Sequence, residues 1–283
     1  MRSAILFTLA LANAAHAQES IGNDGDVASL AATVKAMAEA KTDAKKDSVS
    51  AVLKSGLREL LETDDAFSRD LSALPLSRVD APDGKFRLIT WNVAYFTGNH
   101  RYEGFLLVQD TKRRVLYELR DMTEKIPSPT VPELGPDNWY GALYYEVIPV
   151  KKGTKTYYTL LGWKGYSRVE TRKVIEVLGF KGPVPRFGAP LFGEGKLKAD
   201  RVVFAYAWQN TMSLKADAAG TRIVCDHLSP ISPDLEGQPA FYGPDLSYDA
   251  YVWDKGRWNY QRDVDARGDG PRKPWNPPPK NSP

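Results

Sequence analysis

From Pro82 onward the chain reads with a period of two, and this limits its fold more than any other feature. Asp83-Gly84 is a turn signal, and Phe86-Arg87-Leu88-Ile89-Thr90-Trp91 follows it as a strand. Further strand segments are Tyr102–Asp110, Arg113–Leu119, Gly141–Val150, Lys155–Trp163, Lys173–Phe180, Arg201–Trp208, Met212–Lys215, Arg222–Asp226, Tyr248–Asp254 and Arg257–Asp263. Lys152-Gly153, Gly182-Pro183, Ala219-Gly220 and Lys255-Gly256 supply tight turns between them. Short strands joined by hairpins predict a mainly β chain, an antiparallel β meander closed as a barrel or folded as a sandwich. A small propeller-like repeat fold is the alternative, because Gly135-Pro136-Asp137 and Gly243-Pro244-Asp245 each open an aromatic-rich hairpin.

The segment before this body is of another kind. Val27, Leu30, Ala31, Val34, Met37 and Ala38 recur at helical spacing, as do Val49, Val52, Leu53, Leu57, Leu60 and Leu61. The pattern predicts one long helix or two shorter ones, the second from about Asp47 to Glu62 with Asp47 or Ser48 as its N-cap. Packing on the β body is the plain reading of this segment; a partner-binding coiled coil is the sharper one.

The first 17 residues have the order of a secretory signal peptide. Arg2 precedes the apolar run Ala4–Ala12, and Ala15-His16-Ala17 offers a small-x-small cleavage site, so Gln18 is the expected mature N-terminus. An exported chain, periplasmic or extracellular, is therefore expected. No run in the mature chain reaches the ~20 apolar residues of a membrane span. The expected organisation is a signal peptide over 1–17, a helical segment over 18–73, an antiparallel β domain over 74–266 and a proline-rich tail over 267–283.

Composition removes several functions. Cleavage after Ala17 would leave 37 basic against 35 acidic residues, a balance that carries no nucleic-acid footprint. Cys225 is the sole cysteine and cannot form an internal disulfide; within the strand text Arg222–Cys225 it reads as a buried thiol. Only His100 and His227 remain in the mature chain, too few for a histidine-rich metal site.

Several phrases resemble a group of uncharacterised secreted proteins from Bacteroidetes-type bacteria. They include Phe86–Trp91, Asp137–Tyr145, Tyr157–Trp163, Phe187–Pro190, Met212–Leu214, Asp226–Pro230 and Phe241–Asp245, and the likeness runs over about residues 64–266. It implies export and a co-linear β body, and it implies no chemistry.

Four constellations remain. Asp226, His227 and Ser229 are the catalytic candidates, since a histidine among carboxylates and a serine suits a hydrolase. Asp226 and His227 are strand neighbours that face opposite ways, and no Gly-x-Ser-x-Gly elbow surrounds Ser229. The plainer expectation is that His227 ends a strand and caps the loop Leu228–Pro233. Asp245, Asp249 and Asp254 offer the hard oxygens that calcium takes, without the spacing of a calcium loop. Glu146, Glu170 and Glu176 would be the carboxylates of a glycosidase but have no distinctive frame.

The fourth constellation is aromatic. Trp139, Tyr140, Trp163, Tyr242, Trp253 and Trp258 are the candidate ligand-binding rings, weighed against core packing. In Tyr144-Tyr145 and Tyr157-Tyr158 alternation should place one ring inside and its neighbour outside. The sequence thus leads to an exported, non-catalytic binding or structural/accessory protein of the envelope, with a glycan or a protein as partner. Its rivals are an envelope-polymer hydrolase using His227 with an aspartate, and a subunit of a larger envelope complex.

Overall fold

The computed structural model describes residues 12–110, 113–193 and 198–265, with side chains from Asp26 onward. Most of the signal-peptide stretch and the tail from Ala266 lie outside the described residues.

Two helices open the described residues, α1 (Ala12–Glu39) and α2 (Asp43–Glu62). α1 runs through the expected cleavage point after Ala17. The second helix begins four residues earlier than its periodicity predicts. Thr42, not Asp47 or Ser48, is its N-cap, and the Thr42 hydroxyl accepts from the Lys45 N–H at 3.2 Å. Gly56 lets the helices close, since a Cβ there would sit 2.7 Å from the Leu30 side chain.

Among the described residues thirteen strands follow in three antiparallel sheets. The first sheet is β1 (Ser77–Asp80), β2 (Phe86–Ala94), β3 (His100–Gln109) and β4 (Arg114–Arg120). The second is β5 (Leu143–Lys152), β6 (Lys155–Gly165), β7 (Glu170–Lys181), β8 (Val184–Phe187) and β9 (Val202–Ala207). β8 and β9 pair with opposite ends of β7. The third is β10 (Leu214–Ala216), β11 (Arg222–Pro230), β12 (Tyr242–Asp254) and β13 (Arg257–Gln261).

Side-chain alternation turns these sheets into layers. On β2 and β3, Ile89, Trp91, Val93, Phe105 and Leu107 pack against Leu53, Leu57, Leu60 and Leu61 of α2. The intervening Phe86, Leu88, Tyr102, Leu106 and Val108 meet Tyr144, Tyr158, Leu160, Val174 and Leu178 of the second sheet. The other face of that sheet, through Leu161, Ile175 and Val177, meets Ile223, Cys225 and Trp258 of the third. Each fully buried leucine in these layers contributes ~1.5–3 kcal/mol by leaving water.

The mainly β, antiparallel expectation with an N-terminal helical segment holds, and it resolves toward a sandwich. Each sheet is an open path, so none closes into a barrel. Among the described residues no apolar cluster joins the first sheet to the third, so the ring of a propeller does not form either. Two strands escape the sequence pattern. β1 is four residues long, and β8 carries Pro185, which sits in an edge strand where its missing N–H costs no ladder bond. No described helix is long and apolar enough to cross a membrane.

Candidate functional site

The catalytic candidates gather at one end of the third sheet. Ile223 and Cys225 of β11 face inward, opposite Tyr251 and Asp249 of β12. After Asp226 the register breaks. Asp226 pairs with Tyr248 but Leu228 pairs with Pro244, so His227 faces the three residues Asp245 to Ser247. A bulge of this kind re-aims side chains, and it is held by Leu246 at φ 74°, a left-handed backbone at a 91% exposed leucine.

The bulge brings His227 to two aspartates of the neighbouring strand. Its Nδ1 lies 2.7 Å from Asp249 Oδ2, and its Nε2 lies 4.0 Å from Asp245 Oδ2. Asp249 is 5% exposed and accepts also from the Tyr260 hydroxyl at 2.7 Å and the Asp263 N–H at 3.3 Å. Nδ1 therefore carries the proton, and Nε2 presents its lone pair outward beside an Arg262 guanidinium nitrogen at 3.4 Å. Burial and the Asp249 carboxylate together push the Tyr260 phenol well above its usual range. At Asp245 burial acts upward, but hydrogen bonds from Ser229 and Ser247 and the charge of His227 overcome it and hold the carboxyl at about 2.

The expected loop cap is corrected by this geometry. β11 continues to Pro230, and His227 is oriented by Asp249 instead of closing a Leu228–Pro233 loop. The other two candidates do not join it. Asp226 accepts from the Ser213 N–H at 2.7 Å, and the Ser229 hydroxyl donates to Asp245 at 2.7 Å. A serine–histidine–aspartate relay is thus absent from these contacts, and what forms is an aspartate–histidine dyad whose Nε2 meets Arg262.

The calcium trio is parted by the same strand. Asp245 and Asp249 share His227, but Asp254 sits at the far end of β12 and pairs with Arg257 across the hairpin. Asp254 lies five residue steps along the strand from Asp249, ~16 Å at strand rise. Among the described residues no cluster of three or more potential ligands has metal-holding geometry.

Three of the six candidate rings are core. Trp139 and Tyr140 are 0% exposed and Trp258 is 1% exposed, so they have no face to give a ligand. Trp163, Tyr242 and Trp253 are half-buried. The most exposed of the described aromatic rings are instead Trp208, Phe96 and Tyr260. Glu176 is also corrected as a glycosidase carboxylate, because it is fully buried against Arg201. Cys225 is 1% exposed, and burial with the nearby Asp249 and Asp226 charges pushes its thiol up to about 12. It should therefore resist a thiol-specific reagent at pH 8 until urea unfolds the chain; stoichiometric labelling of the native protein would show the third sheet to be open there.

A second polar site carries no sequence signal. Between the first two sheets lies a cleft of about 500 Å³, with His100 and Arg101 on β3, Lys164 and Gly165 on β6, and Asp121 and Thr123 after β4. Lys164 is 1% exposed and donates to Thr123 Oγ1 at 2.8 Å and to the Gly141 carbonyl. Its ammonium lies 4.1 Å and 4.7 Å from the Tyr102 and Tyr140 ring centres. A lysine in a strand with no motif around it gives nothing to read, which is why this cleft appears only in three dimensions.

Comparisons with family models, curated proteins and solved structures find no match.

Proposed function

We propose that this chain is an exported envelope protein that binds a hydroxyl-rich polymer of glycan type at the His227 end of its third sheet. One observation carries the reading. Asp245, the outward Nε2 of His227 and Arg262 stand together as acceptors and donors, with the half-exposed Tyr260 ring hydrogen-bonded into the same cluster. Carboxylate, imidazole and guanidinium groups satisfy sugar hydroxyls, and a tyrosine ring packs on a sugar face. Export rests on the charged, apolar and small-residue order of residues 1–17. That α2 shares its apolar core with the first sheet favours a role for the helices in the fold over a role as a separate subunit contact.

A second reading, hydrolysis of such a polymer, is favoured by the 2.7 Å contact of His227 with Asp249, which is the arrangement of a general base. Against it stands the engagement of Ser229 with Asp245, which leaves the dyad without a protein nucleophile.

One experiment separates them. The chain from Gln18 is applied to immobilised cell-wall fragments and oligosaccharides, and released reducing ends are measured alongside retention. Retention without release is expected, with at least a tenfold weaker Kd in Asp245→Asn and His227→Ala at an unchanged melting temperature. Reducing ends released by the wild type and lost in Asp249→Asn would replace binding with hydrolysis. Absence of both retention and release would remove each reading.

A further inference from the structure

We propose that the cleft between the first two sheets is a second binding site, taking a small carboxylate-bearing ligand whose anionic group pairs with Lys164. Among the described residues Lys164 is a buried cation without an ion-paired carboxylate. A buried ammonium is costly unless a carboxylate faces it. Yet among the described residues Lys164 bonds only to a hydroxyl and a carbonyl, with two aromatic rings above it and no carboxylate at ion-pair distance. The nearest acid, Asp121, has its oxygens taken by the Tyr102 N–H at 3.0 Å and by the Thr123 N–H and hydroxyl.

The neighbours point the same way. His100 accepts through Nδ1 from Asn92 at 2.8 Å, so its Nε2 holds a proton to donate. Its ring stacks near Tyr102 and meets the edge of Trp163 at 5.8 Å. Gly165 keeps the ring there, since a Cβ on it would fall 2.6 Å from His100 Nε2. Arg101 faces the cleft but is tied to Asp47 and Glu103, and Arg172 is tied to Glu170 and the Tyr140 hydroxyl. Glu124 and Lys125 complete the charged lining and offset each other. The cleft thus holds two polar hydrogen-bond donors with no described carboxylate at ion-pair distance from Lys164, in a volume of the size that small ligands occupy.

The proton count follows. Burial lowers the Lys164 ammonium to about 7, with Asp121 opposing and Arg172 reinforcing the shift, and burial lowers His100 likewise. An anion beside Lys164 favours the charged form, so binding at pH 7.5 must take up a proton. The sign is that of a raised bound-state pKa: affinity is full below about 7 and is lost as pH rises through the bound value.

The test uses the chain from Gln18 with D-glucuronate, and D-glucose as the uncharged control. Calorimetry at pH 7.5 in two buffers of different ionisation heat should show glucuronate binding with proton uptake and no heat from glucose. Binding should weaken at least tenfold between pH 6.5 and 8.5. Lys164→Met keeps the volume and removes the charge; it should abolish the uptake while His227→Ala leaves it intact. Should Lys164→Met fail to fold, the Lys164 amine signal followed by NMR in the wild type gives the answer, its midpoint rising with glucuronate. Equal binding of glucose, uptake that survives Lys164→Met, or a midpoint that does not move would overturn the proposal, as would no glucuronate binding at 10 mM, roughly the weak limit of useful site affinities. Loss of uptake in His227→Ala would assign the ligand to the third sheet instead.

Discussion

Replacing Trp258 with alanine should lower the free energy of unfolding by about 3–5 kcal/mol, read as a shift of the urea midpoint at constant slope. Trp258 is 1% exposed on β13, stacks edge-on against Trp253 with ring centres 5.2 Å apart, and lies in the apolar layer between the second and third sheets. Its indole N–H donates to the Thr159 hydroxyl at 2.9 Å, a contact 99 residues distant in sequence. Alanine would leave a cavity and a buried hydroxyl without that donor, so two costs add. Trp258→Phe, which keeps most of the volume, should lose less. A change below 1 kcal/mol for the alanine variant would mean that the third sheet does not bear on the second as described.

The second large effect should come from Arg201. Its guanidinium and the Glu176 carboxylate are both wholly buried at 2.8 Å, and the same guanidinium donates to the carbonyls of Pro129, Pro132 and Phe187. Arg201→Met would strand a buried carboxylate and release the loop that these carbonyls anchor, a loss of about 3–5 kcal/mol. The double variant Glu176→Gln with Arg201→Met should recover part of that loss, because the amide carries no charge to desolvate. Additive losses in the double variant would show that the loop contacts, and not the ion pair, hold the energy.

Much of the β body was legible. Alternation places Tyr144 inside and leaves Tyr145 41% exposed, and Tyr158 is buried while Tyr157 is half-buried, as pleating demands. It misleads where a sheet is covered on both faces. β2 reads Phe-Arg-Leu-Ile-Thr-Trp, and all six of those positions are buried, so the polar members are not the solvent face that a two-layer reading assigns them. Arg87 shows how: it is held inside by Asp80 and by the carbonyls of Ala66 and Arg69.

The candidate site divides along the same line. Periodicity and turn chemistry are local properties, written in adjacent residues, and they determined the strands, the hairpins and the separate faces of Asp226 and His227. Which aspartate meets His227 depended on a bulge two strands must share, and the sequence offers Asp245, Asp249 and Asp254 on equal terms. Whether a tryptophan binds or packs depended on what covers it, and Trp139 and Trp258 are covered by strands far along the chain. Lys164 is the furthest case, for its chemistry comes from desolvation by Tyr102 and Tyr140, and only the stacking of one sheet on another supplies that.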